Sequence, residues 1–385
     1  MSALVVHSQG NKSQAIIRSL GRRGIKVVAT DSSRFAAGFY SRYCTDHLVT
    51  PSPQLYPEEF IRTILDRVKQ GDIDVLIPSN STETLLISKY KDRFEPYTHV
   101  PFMSFQKLFE VHNKETLHAL AYGLGIPVPW TFAPQTMDDV RNISKKVSYP
   151  VVIKPKKSTS SQGVMYAQSD EECLAIFKRY GETARIPPDE LPLIQEYIPG
   201  DGYGVSVLFN KGELRAFFTH KRLREFPLTG GPSTLRESVR NPQMERIAID
   251  LMKACGWHGV AMVEFKLHRE TLQPYLIEVN PRFWGSVNHA IVSGVDFPYL
   301  LYTMAVKGDV PPVLDYRIGI KTRFLFNDLR ALYAMHKKKK DLLALFSEVF
   351  ARYPSDEFAW DDPLPFMIYF GHKMAASFHK KATEE

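Results

Sequence analysis

The chain has 385 residues, more than a typical single domain, so two to four structural units with a substantial core are expected. Hydrophobic residues make up 44% and charged residues 24%, as in ordinary globular proteins, and the formal net charge of +7 is not gathered into one long tract. That surplus suits nucleotides and acidic substrates; no recognised motif supports nucleic-acid binding, and no apolar stretch approaches membrane-spanning length.

Ala3 to His7 reads as a buried strand that follows Met1 directly, with no basic leader and cleavage site, so no secretion is expected. Lys12 to Arg22 has helical periodicity, Ile25 to Thr30 is a second strand ending at Asp31, and Asp72 to Pro78 is a later one. Ser79-Asn-Ser-Thr-Glu83 then has helix-capping character. Strands alternating with helices argue for a parallel sheet, whose ligands sit outside the carboxyl ends of the strands. Gln9 to Lys12 and Ser79 to Glu83 are therefore candidate substrate contacts, although loop and cap roles explain each of them equally well. Ser8 to Asn11 does not form Gly-x-Gly-x-x-Gly, which leaves a dinucleotide site with little support. Cys44, Cys173 and Cys255 are too widely spaced for a metal site and read as reduced thiols of a cytoplasmic protein.

Spacing from Phe105 to Leu124 is helical, and the turn Gly125-Ile-Pro-Val-Pro129 leads into a further unit. There Tyr149 to Pro155 is an apolar strand carrying Lys154, followed by the polar loop Lys156 to Gly163 and a second apolar run from Val164. Small residues and a glycine let backbone N–H groups approach a phosphate, while lysines supply charge. Equally, a serine-rich loop is an ordinary solvated turn. The Walker pattern is absent. A polar run of this kind has little apolar surface to hold it down, so it is expected to be mobile without nucleotide and to close with it. A second boundary is expected around Gly181 to Pro192, where Gly and Pro cluster.

The stretch Thr219 to Glu225 is basic, and strand alternation would place His220, Arg222 and Arg224 on one face. With Ser233 and Arg236 beyond Gly230-Gly231, these residues are candidates for holding a carboxylate or a transferring phosphoryl group, since guanidinium forks match such anions. A solvated basic strand is the alternative. Glu264 closes the apolar run from Gly259, and fourteen residues later Glu278 opens Glu-Val-Asn-Pro-Arg282. A hairpin through Lys266 to Pro274 would bring the two carboxylates together, with Asn280 and Arg282 projecting alongside Glu278. Two carboxylates and an amide oxygen are hard ligands of the kind magnesium prefers, completed by waters and substrate phosphates. After Pro312, helical patterns at Asp328 to Met335 and Leu342 to Arg352 flank His336 and Lys337 to Lys340. Asp361-Asp-Pro-Leu-Pro365 then precedes a final amphipathic helix suited to covering the core, forming a dimer or touching a membrane surface.

The ordered series Lys114, Gly125 to Pro129, Val152-Ile-Lys154-Pro, Ile194-Gln-Glu-Tyr-Ile-Pro-Gly200, Glu264 and Glu278-Val-Asn280-Pro-Arg282 resembles the ATP-grasp superfamily. The nearest flavour is the branch with carbamoyl-phosphate synthetase, biotin carboxylase and carboxylate–amine ligases. The resemblance implies an α/β ATP-grasp fold with a Rossmann-like N-terminal domain (1–110), a linker and small lobe bearing the phosphate flap (111–195), a central lobe with the metal site (196–312) and a mostly helical C-terminal segment (313–385). It also implies ATP with magnesium, or manganese in its place. By position, Lys114 and Lys154 match the nucleotide-contacting lysines, and Glu196, Tyr197 and Ile198 match the hinge that recognises adenine. Lys156, Ser160 and Gly163 match the flap. Glu264, Glu278 and Asn280 match the metal ligands, and Arg282 matches the arginine facing the reacting group. The flap has a single glycine where relatives have several, and Asp201 stands in for the usual ribose-contacting glutamate.

The activity implied is activation of a carboxylate by ATP as an acyl phosphate, with Lys154 and Arg282 catalytic, followed by attack from an amine. Both substrates are expected to be small molecules, and a homodimer is compatible with the sequence. Alternatives on the same site are phosphorylation of bicarbonate or carbamate, or ATP-responsive binding without turnover.

Overall fold

The computed structural model describes residues 1–156, 163–183, 191–228, 230–339, 349 and 351–382. It opens with β1 (Ser2–Val6), α1 (Asn11–Gly21), β2 (Lys26–Asp31), β3 (Asp46–Val49), α2 (Pro57–Val68), β4 (Val75–Pro78) and α3 (Ser81–Lys89), which give a parallel sheet in the order β3-β2-β1-β4. β1 and β4 are almost wholly apolar because both faces are covered, whereas the edge strand β3 is largely exposed and carries Asp46 and His47. Ala3 and Val5 share one core with Ile16, Ile17 and Leu20 of α1, whereas Leu4 and Val6 share another with Phe60, Ile61 and Ile64 of α2.

After α4 (Lys91–Phe94), the helical spacing from Phe105 resolves into α5 (Phe105–His112) and α6 (Lys114–Gly123). Asn113 makes the break: its backbone is extended, and its side chain accepts from Glu115 N at 2.9 Å and Thr116 N at 3.3 Å. An asparagine cap satisfies N–H groups that a continuous helix would have bonded internally, so Lys114 becomes the first residue of a new helix and is buried there.

A small lobe follows, built from β5 (Thr131–Phe132), α7 (Met137–Ser144), β6 (Val151–Lys154), β7 (Met165–Ala167), α8 (Asp170–Thr183) and β8 (Leu193–Glu196). Its antiparallel sheet has the order β5-β8-β6-β7, and Val140, Ile153, Phe177 and Ile194 belong to a core of its own. β8 runs one residue past the expected domain boundary at 195.

The large sheet contains β9 (Gly200–Asn210), β10 (Glu213–Glu225), β11 (Ser233–Ser238), β12 (Gly259–His268), β13 (Pro274–Asn280) and β14 (Lys321–Arg323), in the order β13-β12-β9-β10-β11-β14. α9 (Pro242–Ala254) covers one face, and α10 (Val287–Ser293) with α11 (Phe297–Lys307) covers the other. Alternation along β9 sends Val205, Val207 and Phe209 to the core of Leu4, Val6 and α2, and Leu208 to that of Ala3, Val5 and α1, so both cores continue into the N-terminal sheet.

The C-terminal segment adds β14 to this sheet before α12 (Leu325–Lys339) and α13 (Leu364–Ala382). Buried ion pairs fasten it: Arg18 Nε to Asp362 Oδ2 at 2.9 Å, Arg236 Nη1 to Asp356 Oδ2 at 2.5 Å and Arg224 Nε to Asp328 Oδ1 at 3.2 Å. The expected helix from Leu342 to Arg352 falls almost entirely outside the described residues. Among the described residues no helix is long and apolar enough to cross a membrane.

Candidate active site

The hairpin β12–β13 places Glu264 directly opposite Glu278. Like charges in that position repel, so the site has to compensate them. Asn280 Nδ2 donates to Glu264 Oε1 at 3.0 Å and to Glu278 Oε1 at 3.2 Å, tying the two carboxylates together. The Arg222 guanidinium bonds Glu264 Oε2, and Lys114 Nζ stands 4.0 Å from Glu278 Oε2. Burial pushes the Glu264 carboxyl above its ordinary range despite Arg222. Burial acts the same way on Glu278, but Lys114, Lys154 and Arg222 outweigh it and hold that carboxyl below the ordinary range.

On one side of this centre, between the two sheets, lies a cavity of about 140 Å³. Val152, Val164 and Ile277 give it apolar walls, and the hinge residues Glu196, Tyr197 and Ile198 form one edge. Lys154, at the end of β6, donates to Gln195 Oε1 at 2.8 Å, while Gln195 Nε2 donates to Thr131 Oγ1 at 2.8 Å, so three strands fix one ammonium. Burial, then the neighbouring Lys114, lowers its pKa to about 7. Glu196 also closes the lobe, because its carboxylate accepts from Trp130 N at 3.1 Å.

On the other side a cavity of about 270 Å³ shares Arg222, Glu264 and Glu278 with the first. Arg282 lines it, held by Ser81 Oγ, the Phe283 carbonyl and Asn280 Oδ1 at 2.7 Å each, with no carboxylate within 4.0 Å among the described residues. His220, Ser233 and Arg236 line it too. The His220 ring sits over its cross-strand partner Gly204, where a Cβ would come within 2.5 Å of Cε1, so only glycine leaves the ring its place. Burial, then His289 and the two arginines, drive His220 well below its ordinary pKa, and it is a neutral imidazole.

A family model for the ATP-grasp domain matches residues 112–286, the stretch that runs from just before Lys114 to just past Arg282. Residues 112–286 are an ATP-grasp domain. The chain is 25% identical over 190 residues to the N-terminal section of the carbamoyl phosphate synthase large chain of Methanopyrus kandleri, which covers 46% of this chain and 33% of that protein. It is 31% identical over 179 residues to the formate-dependent phosphoribosylglycinamide formyltransferase of Wolinella succinogenes, covering 45% of each. The chain thus spans less than half the length of these relatives. Among solved structures, biotin carboxylase from Campylobacter jejuni superposes with a TM-score of 0.67 at 16% identity, over 83% of this chain and 74% of that one, a likeness of fold.

Within and around the ATP-grasp domain, several expected residues stand elsewhere. The ladder between β10 and β11 shifts register between Arg222 and Arg224, so alternation fails there; Arg224 turns to Asp328, away from both cavities. Asp201 pairs with Lys221 at 2.7 Å and lies outside the smaller cavity, which Lys266 lines instead. Lys156 is not on the cavity wall. Nor is Gly163, whose φ of +73° favours glycine and whose carbonyl accepts from Tyr180 at 3.3 Å. Ser160 lies outside the described residues. Gln195 and Tyr166 line the smaller cavity without being sequence candidates, Gln195 sitting between two quoted hinge positions and nothing local marking Tyr166, whereas Lys12, a candidate substrate contact, lines the larger cavity beside Gly10 and Asn11.

The donor set fits a magnesium ion supplied with nucleotide phosphates, because two half-buried carboxylates face each other across one hairpin. Asn280 is turned the other way, with its NH₂ toward the carboxylates and its oxygen on Arg282, so ligation through oxygen requires the amide to rotate.

Proposed function

We propose that this chain is an ATP-dependent carboxylate–amine ligase that passes through an acyl phosphate and releases ADP and phosphate. The observation that carries this is the meeting of the two cavities at Glu264, Glu278 and Arg222: the cavity with the hinge and the lysines opens, at its charged end, onto a second one lined by Arg282. A nucleotide bound along the hinge would direct its phosphates toward Lys114 and Lys154, and a carboxylate held by Arg282 would lie across the carboxylate pair from them.

In this mechanism a carboxylate oxygen attacks the γ-phosphorus and ADP leaves. The amine nitrogen then attacks the acyl carbon, phosphate leaves and the amine gives up a proton. Lys154, positioned by Gln195, and Lys114 offset charge on the phosphates, and Arg282 faces the acyl phosphate and the later oxyanion. Magnesium, when held by Glu264 and Glu278, supplies charge neutralisation at the transferring group. The departing phosphate takes up the amine proton, because His220, although it lines the same cavity as Arg282, is made a poor base by the burial that lowers its pKa. No side-chain nucleophile is required, since the chemistry rests on positioning and electrostatics.

Turnover of magnesium ATP against a panel of carboxylates and amines tests this, with ADP, AMP and phosphate measured separately. ADP and phosphate formed only with both partners are expected. AMP and pyrophosphate would contradict the acyl phosphate, and turnover on bicarbonate alone would point to carboxylation.

A further inference from the structure

Three large apolar side chains around the start of α13 face solvent: Trp360, just before the helix, is 91% exposed, Leu364 54% and Met367 62%. Ring contacts join them to a wider surface. Trp360 meets Phe358 at 4.8 Å between centroids, Phe358 meets Phe366 at 5.6 Å, Phe366 meets Phe370 at 6.0 Å, and Phe370 meets Phe326 of α12 at 5.7 Å. Leu329 and Tyr333 of α12, Phe370 of α13 and Phe226 then line an open groove of about 730 Å³. A soluble monomer rarely leaves a contiguous apolar surface of this kind uncovered, so the face marks a contact.

The charges select the partner. α13 has no Asp or Glu in its 19 residues but carries Lys373, Lys380 and Lys381, and α12 ends in Lys337, Lys338 and Lys339. Arg330, stacked over Phe226 at 4.4 Å, is the one charged residue among the described residues that line the groove. The acids just before α13 are already engaged, Asp361 with Arg22 at 2.7 Å and Asp362 with Arg18 at 2.9 Å. A second copy docked through this face in a twofold dimer would set the face against itself and cations against cations, which is repulsive. Aromatic and aliphatic side chains beside lysines, with acids absent, are instead complementary to a bilayer surface that bears anionic lipids. Rings and aliphatic chains settle at the boundary of headgroups and acyl chains while the lysines meet the headgroups.

We propose that the face formed by α12 and α13 docks on the surface of a bilayer containing anionic lipids, with Trp360, Leu364 and Met367 inserted at the interface. α13 lies on the bilayer and not across it, since no helix among the described residues is long and apolar enough to span one. The proposal is independent of the ligase reading, yet it bears on the site. Tyr369 lines the cavity of Arg282 while its neighbour Phe370 lines the outer groove, so α13 stands between that cavity and the bilayer.

Flotation of the full chain with phosphatidylcholine vesicles, with and without phosphatidylglycerol, tests this. Binding to the anionic vesicles is expected to exceed binding to the neutral ones by at least about tenfold and to fall with added salt. Leu364→Glu combined with Met367→Glu should weaken it by about tenfold or more, with the circular dichroism spectrum and nucleotide binding unchanged. Brominated anionic lipids should quench the tryptophan fluorescence of the unaltered chain and quench Trp360→Phe much less, which assigns the inserted ring. No flotation with anionic vesicles, equal flotation with both kinds, or a folded double-glutamate variant that floats as well as the unaltered chain would each overturn the proposal. A mass that doubles with concentration in the unaltered chain but not in the variant, without flotation, would overturn it too and make the face an interface between copies. Should the variant fail to fold, the quenching decides: none in the unaltered chain, or as much in Trp360→Phe, overturns the proposal.

Discussion

Glu278 is the residue on which the most electrostatics converges, with Lys114, Lys154 and Arg222 all lowering its pKa against burial. Glu278→Gln keeps its shape and removes its charge, so ATP turnover should fall at least about a hundredfold, as expected when several kcal/mol of charge stabilisation is lost. The circular dichroism spectrum should be unchanged; near-normal turnover at limiting magnesium would refute the role. Lys154 makes a second prediction. With its pKa lowered to about 7, part of the population is neutral above that pH, whereas phosphates favour the charged form. Nucleotide binding above pH 7 should therefore take up protons and weaken as pH rises, which calorimetry in buffers of different ionisation heat would show. Both residues were legible in the sequence because each ends an apolar strand with a charge that a core does not tolerate. The buried pair of Asp356 with Arg236 was not, because the two lie far apart in sequence and meet only through the pairing of β14 with β11.

At the scale of elements, the cap at Asn113 does more than start α6, since it fixes the burial of Lys114. Asn113→Ala should lower stability by about 1 kcal/mol, the usual worth of such a cap, and weaken ATP binding as well. Chemical denaturation and a nucleotide titration would check the pair of effects, and an unaltered affinity would separate cap from site. The hairpin β12–β13 was legible from two apolar runs joined by a polar turn, and the observed register opposes Glu264 and Glu278. Two element-scale features were hidden. Helical periodicity is the same on both sides of Asn113, so spacing alone does not reveal the break. The register shift at Arg222 to Arg224 is a property of the partner strand as much as of β10, and strict alternation along one strand cannot foresee it.

For the whole molecule, the alternation of strands and helices in the first hundred residues made the parallel sheet legible, whereas the sharing of both its cores with the large sheet depends on contacts no local pattern encodes. The C-terminal segment then ties these units together through acidic residues. Beside them Glu357, whose carboxylate accepts from Phe326 N within the segment, is 1% exposed, and burial raises its pKa from 4.5 to about 7. Its proton is held more tightly in the folded than in the unfolded chain, so its contribution to stability is present below about pH 4.5 and is lost as pH rises to about 7. Glu357→Gln should flatten this part of the stability profile and raise Tm above pH 7; a parallel profile with no gain would contradict it.

The central claim is that γ-phosphate passes from ATP to a substrate carboxylate, and the fate of the carboxylate oxygen tests it most directly. A carboxylate that supports turnover is labelled with heavy oxygen in its carboxyl group, and the inorganic phosphate released in the presence of the amine is analysed by mass spectrometry. One labelled oxygen in each phosphate, formed with an equal amount of ADP, is the predicted result. Unlabelled phosphate, or label found in AMP, would contradict it.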